Sequence, residues 1–343
     1  MPVSKTMRAA VALDYDNVQL QELPVPDCGP QEALVQIKAC GICSGDVTPW
    51  YIRKKCPTVV GHEPAGVIVE VGAQVTRFKP GDRVFVHHHA PCFGCRHCLR
   101  GFYTMCPTWR GTNLDPGGLA EFVRVPRENL EGDTLHLPSY LTFEDGTLIE
   151  PVACVVKAFR RAGFQPGQRL AVLGLGFIGQ VMVRLARHYG AELVLASDPV
   201  AWRREKGLES GADFVSEPEH FAELVREQTE GGADVVMVGP SSSAAILAGI
   251  ECAGRGSTVL LFMGPEPGVK LEVEPHHLFF NEISLVSSYS CGPDDTRDTL
   301  YLIREGVLAS DDLVTHRFPL DETLQACRLT ARAGESLKVL VTI

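Results

Sequence analysis

The sequence predicts an α/β chain in two parts: a mostly β part up to about residue 150 that resumes near residue 290, and a doubly wound parallel part between them. Three observations predict it. The chain texture changes near Pro151, four cysteines crowd into Cys92–Cys106, and a glycine-rich turn, Gly174–Gly179, joins an apolar strand to a helix.

The 343 residues suggest about two domains at roughly 150 residues each, with a core large enough to need no disulfides. Hydrophobic residues make up 45% and charged residues 22%, a balance that excludes a largely disordered chain. Lys and Arg total 32 against 42 Asp and Glu, a formal charge of −10, so neither nucleic acid nor an anionic membrane is an expected partner. The N-terminal residues lack the apolar core of a secretory signal, and a cytoplasmic location is expected. The most apolar stretch, Leu170–Val183, is shorter than the roughly 20 residues of a membrane span.

In chain order, short β-branched runs at Ala33–Lys38, Gly66–Val71, Asp82–Val86 and Ala120–Val125 predict strands. Beyond Pro151 the period lengthens. A helix is expected over Val152–Arg161, a strand over Arg169–Leu173, a helix over Ile178–Tyr189, and strands over Leu193–Ser197, Asp234–Val238 and Thr258–Phe262. That alternation is the signature of a parallel sheet. A helix over Thr296–Glu305 and a strand over Lys338–Ile343, returning to the first part, close the chain.

The chain carries 12 cysteines. In Cys92-x2-Cys95-x2-Cys98-x7-Cys106, three stand at consecutive three-residue steps that are awkward to pair as disulfides. Four thiolates in one glycine-containing loop match a closed tetrahedral zinc site, which has no open position for substrate and is therefore structural. Cys43 and His62 offer a second donor pair, to which Glu63 and Glu150 can add oxygen. With water in the last position such a set describes a catalytic zinc. Taken alone, His62 reads equally well as a core histidine and Glu150 as a helix cap.

Gly174, Gly176 and Gly179 follow the strand Arg169–Leu173 and, with Phe177 and Ile178, open the next helix. Backbone at such a turn can approach a dinucleotide pyrophosphate. Asp198 ends the following strand, where a carboxylate accepts from ribose hydroxyls and repels a 2′-phosphate, favouring NAD. Arg203 can steer the adenosine end or remain a solvated charge.

With these elements in this order, the chain resembles the zinc-dependent medium-chain dehydrogenase/reductase family of alcohol, sorbitol and threonine dehydrogenases. The resemblance covers essentially the whole length: Cys43, the run Gly61-His62-Glu63-Pro64-Ala65-Gly66, the run Lys79-Pro80-Gly81-Asp82, the cysteine lobe, Gly118-Leu119-Ala120-Glu121 and the glycine loop. It implies a GroES-like catalytic domain over 1–150 and 290–343, with its zinc lobe at about 90–108, and a Rossmann domain over 151–289. It implies one catalytic and one structural zinc, with Cys43 and His62 as catalytic ligands and Glu63 or Glu150 completing the shell. Asp46 then orients the histidine ligand. The resemblance also brings His89 to the substrate side and Cys154 towards the cofactor. One departure stands out: relatives carry a relay hydroxyl two residues after the zinc cysteine, and here that position is Gly45, leaving Ser44, Thr48 or water to move the proton.

The activity implied is reversible, NAD-linked oxidation of a secondary alcohol to a ketone, with a polyol or a 3-hydroxy amino acid such as L-threonine as substrate. Arg53, Lys54 and Lys55 keep open an anionic substrate, a sugar phosphate or hydroxy acid, and a non-catalytic member of the fold is a further alternative. Both sets of metal residues argue against a zinc-free quinone reductase. A homo-oligomer, dimer or tetramer, is expected through edge strands near Thr258–Phe262.

Overall fold

The computed structural model describes residues 4–343. Its chain divides into two compact units, one running to Ala153 and resuming over Cys291–Ile343, the other Cys154–Ser290.

The first unit is built on a seven-stranded sheet whose spine is the antiparallel pair Ala33–Gly41 and Glu63–Val71. Both strands are apolar and β-branched, and their inward side chains Val35, Ile37 and Ile68 are fully buried. Arg83–Val86 and Thr134–His136 extend the sheet on one side. On the other, the C-terminal strand Lys338–Thr342 lies between Ala33–Gly41 and Val314–Pro319, so the end of the chain supplies an interior strand. A separate three-stranded sheet joins Thr6–Asp14 to Asn17–Pro24 and Thr58–Val59.

The second unit is a six-stranded parallel sheet. Numbered in its own chain order its strands lie 3-2-1-4-5-6, the doubly wound order of dinucleotide-binding domains. Arg169–Leu173 is central, and the helices Phe177–His188 and Pro218–Thr229 bury apolar faces on the sheet. The sheet corrects one expectation. The strand near Thr258–Phe262, observed as Ala253–Leu261, is interior, because Ser284–Ser287 pairs in parallel along its outer side; the edges are Phe214–Ser216 and Ser284–Ser287.

Candidate active site

The antiparallel spine assembles the first site. Its register sets Gly41 opposite Glu63, which brings the residues after one strand, Ile42 and Cys43, against the residue before the other, His62. Cys43 caps the short 3-10 turn Ser44–Val47: its sulfur accepts from Gly45 N at 3.4 Å, and its own N–H donates to Asp46 Oδ2 at 3.2 Å. The other Asp46 oxygen lies 3.3 Å from His62 Nδ1. A carboxylate on Nδ1 fixes the ring and leaves Nε2 for a metal. Burial opposes charge on His62, but the Asp46 carboxylate and the Cys43 sulfur outweigh it and hold the imidazole pKa well above its ordinary range. Burial likewise works to raise the Asp46 carboxyl, and His62 pulls it below the usual carboxylate value.

Ligand atoms of Cys43, His62 and Glu63 lie within 4.8 Å of one another. Glu63 is fully buried and its Oε2 forms an ion pair with Lys338 of the C-terminal strand, while Oε1 has no hydrogen-bond partner among the described residues. Burial raises the Glu63 carboxyl and Lys338 opposes that rise. A Cβ at Gly41 would fall 1.8 Å from Glu63 Oε2 and 2.7 Å from Lys338 Cε, so only glycine leaves room for this pair. One thiolate, one oriented imidazole and an unpartnered carboxylate oxygen make a donor set that fits zinc with a position left over. Nothing near Lys338 in the chain signals its partner, which lies 275 positions earlier at Glu63.

Glu150 opens the helix Ile149–Ala162 and groups instead with His87 and Cys291, again within 4.8 Å. The strand ends at Val86, and the three histidines that follow it pack ring on ring, with centroids 4.9 Å apart for His87–His88 and 4.1 Å for His88–His89. His87 is buried against Asp133; His88 turns to His62, with ring centroids 4.9 Å apart. His89 packs on Trp109 at 4.1 Å, its Nδ1 2.6 Å from the Thr112 carbonyl. Burial, reinforced by the neighbouring histidines, drives His88 well below its ordinary value and His89 to about 3. Both stay uncharged. His88 is thus the histidine whose ring lies beside the Cys43–His62 pair. Ser44 is exposed, and the Thr48 hydroxyl donates to its carbonyl at 2.7 Å.

In the lobe, the sulfurs of Cys92, Cys95, Cys98 and Cys106 lie within 4.8 Å of one another, with the Cys95–Cys98 and Cys92–Cys106 pairs at 3.6 Å. Tetrahedral bonds of about 2.3 Å put sulfurs about 3.8 Å apart, so the cluster fits a structural zinc. Burial pushes Cys98 up to about 12. Burial also acts to raise Cys106, but hydrogen bonds from the Cys92 and Trp109 backbone bring it down to about 6.

The glycine loop is built by three different needs. Gly174 has φ 89°, a left-handed conformation. A Cβ at Gly179 would stand 1.9 Å from the Gly174 carbonyl oxygen, whereas at Gly176 it would meet only the Arg203 guanidinium at 3.5 Å. The loop is thus closed on its packing side and open on the side of Gly176, the cradle a pyrophosphate requires at the N-terminus of Phe177–His188. Phe177 is buried there and Ile178 half-buried. Asp198 stiffens the loop: its carboxylate accepts from Leu175 N and from Val200 N, each at 2.8 Å. Gln180, unremarked in the sequence, donates to the Leu175 carbonyl at 2.9 Å and the Arg203 carbonyl at 3.1 Å. Cys154 is half-buried in its helix.

Comparison with known proteins agrees with both halves. The family model for the alcohol dehydrogenase GroES-like domain matches residues 29–134, and that for zinc-binding dehydrogenases matches 178–305. Sorbitol dehydrogenase of Ovis aries is 33% identical over 95% of this chain and 93% of its own length; that of Bombyx mori is 30% identical over 98% of each. Among solved structures, a zinc-binding dehydrogenase of Sinorhizobium meliloti 1021 bound to NADP superposes with TM-score 0.88 at 28% identity, covering 99% of this chain and 100% of that one. An alcohol dehydrogenase of Thermus sp. ATN1 superposes with TM-score 0.86 at 26% identity, covering 98% and 99%. The donor sets, the glycine loop and these likenesses lead to one conclusion: the chain belongs to the zinc-binding alcohol dehydrogenase family.

Proposed function

We propose that the chain oxidises a secondary hydroxyl of a polyol, reversibly, with NAD as hydride acceptor and zinc held by Cys43, His62 and Glu63. The observation that carries the reading is the convergence of those three ligand atoms within 4.8 Å, with Asp46 on the far side of the imidazole. Bound zinc supplies Lewis acidity to an alcohol oxygen, and the dinucleotide supplies the redox chemistry. The chain's own residues do the rest. Asp46 keeps the His62 lone pair aimed, and Lys338 pairs with the buried Glu63 carboxyl and opposes the rise that burial imposes on it. His88 packs its uncharged ring beside that of His62 and helps fix the imidazole in place.

Likeness to sorbitol dehydrogenases supports a polyol over the 3-hydroxy amino acid. The anionic alternative loses its cations: Arg53 pairs with Asp14 at 2.9 Å, while Lys54 and Lys55 lie over the rings of Trp50 and Tyr51. Asp198 favours NAD, although Arg203 beside Gly176 is the residue through which a 2′-phosphate would be tolerated. All twelve cysteines are free, which suits a reducing cytoplasmic setting. No helix among the described residues is long and apolar enough to cross a membrane. The sheet edge Ser284–Ser287 supports homo-oligomerisation, which light scattering of the purified protein measures.

The test is NAD and NADP reduction over polyols, L-threonine, hydroxy acids and sugar phosphates. NADH formed from polyols by the wild type and lost in Cys43→Ala bears the reading out; NADPH as the sole product, or turnover unaffected by Cys43→Ala, overturns it.

A further inference from the structure

Three buried side chains from distant stretches of the first unit converge beside the site just described. His87 follows the strand Arg83–Val86, Glu150 opens the helix Ile149–Ala162, and Cys291 precedes the helix Pro293–Arg304. One ligand atom of each lies within 4.8 Å of the others.

The histidine is held as a ligand is held. His87 Nδ1 lies 2.6 Å from Asp133 Oδ2, and the second oxygen of Asp133 accepts from Thr296 Oγ1 at 2.5 Å. Both His87 and Asp133 are fully buried. An imidazole that donates from Nδ1 to a carboxylate carries its lone pair on Nε2. That Nε2 faces Cys291 Sγ at 3.6 Å. Tetrahedral zinc with bonds of about 2.0 Å to nitrogen and 2.3 Å to sulfur sets those two atoms about 3.5 Å apart. The spacing needs no rearrangement.

We propose that His87 Nε2, Cys291 Sγ and the Glu150 carboxylate form a further zinc site, distinct from the cysteine lobe and from Cys43, His62 and Glu63. A neutral imidazole with two anionic donors balances a divalent cation in a site closed to water. Binding converts the Cys291 thiol, whose sulfur otherwise lies 3.7 Å from the Glu150 carbonyl, to thiolate and releases one proton to solvent. Glu150 then belongs to this site, and Glu63 serves the other.

The experiment is metal content of the full-length protein expressed with zinc, by mass spectrometry of the metal, for wild type, Cys291→Ala, Cys43→Ala and the double variant. Three zinc per chain are expected in the wild type, two in each single variant and one in the double. A Cys291→Ala protein that keeps all the zinc of the wild type overturns the proposal and leaves a thiol–imidazole hydrogen bond. Loss on Cys291→Ala with no loss on Cys43→Ala upholds it while removing the reading under Proposed function. Should Cys291→Ala fail to fold, cobalt titration of the metal-stripped wild type decides. Thiolate-to-cobalt absorption rising to three equivalents supports the site, and saturation at two refutes it.

Discussion

A Cβ at Gly45 would sit 3.6 Å from the Cys43 sulfur and 3.6 Å from the Tyr51 ring, ordinary contacts, and no left-handed backbone ties the position to glycine. Gly45→Ser therefore folds with a stability change within about 1 kcal/mol, and it places a hydroxyl at the position where the family resemblance implies a proton relay. Its expected effect is a severalfold rise in kcat near neutral pH, read from a pH–rate profile; an unchanged profile means that the proton leaves by another route. Lys338→Met works in the opposite direction. It strands the buried Glu63 carboxylate and is expected to cost about 3–5 kcal/mol in urea unfolding. These two residues also mark how far the site was legible in the sequence. The four lobe cysteines were readable because zinc demands particular donor types at short spacings, whereas Cys43 and His62, far apart in the chain, stood out only through the family resemblance. Lys338, Asp133 and Cys291 carry no such constraint: each is an ordinary residue until the fold brings it to its partner.

Among elements, the helix Phe143–Thr147 owes its start to a reciprocal cap. Asp145 Oδ2 accepts from the Thr142 N–H at 2.9 Å and its hydroxyl at 2.7 Å, and Oδ1 accepts from Ser310 N at 2.9 Å, tying the helix to the later chain. Partial burial works to raise the Asp145 carboxyl, but these hydrogen bonds hold it below its ordinary value of 3.8. The sign follows: the ionised form is the one the fold stabilises, so the contribution is complete above the unfolded pKa and fades as pH falls through the lower folded value. Asp145→Ala is expected to cost about 1–2 kcal/mol near pH 7, a difference that shrinks below pH 3.8 when chemical denaturation is repeated in acid. Helices and central strands of the parallel unit were legible because long apolar periods admit one reading, and Leu193–Ser197 stands as the sequence predicted. The edge was not. Ser284–Ser287 is four residues with two serines and no fully buried side chain, so nothing in its pattern announced that it would cover Ala253–Leu261.

At the scale of the molecule, the chain spends its apolar residues unevenly. The two large cores gather around the sheets, whereas the lobe between Cys92 and Cys106 has a cluster of only Cys98, Cys106 and Trp109 fully buried, with Cys95 and Tyr103 against it. Phe93 is 44% and Leu99 77% exposed, so two of the lobe's larger apolar side chains add little to that small cluster. The four sulfurs, two pairs already at 3.6 Å, must therefore supply its order through a bound metal. Chelation at neutral pH is then expected to act locally. Amide exchange and proteolytic cleavage should rise within residues 92–106, while Arg169–Leu173 and Leu193–Ser197, interior strands with no metal donors, keep their protection. Hydrogen exchange followed by mass spectrometry measures both regions in one experiment. If protection falls equally in the lobe and in those strands, the metal stabilises the whole chain rather than the lobe. If it falls in neither, the small cluster around Trp109 is sufficient by itself.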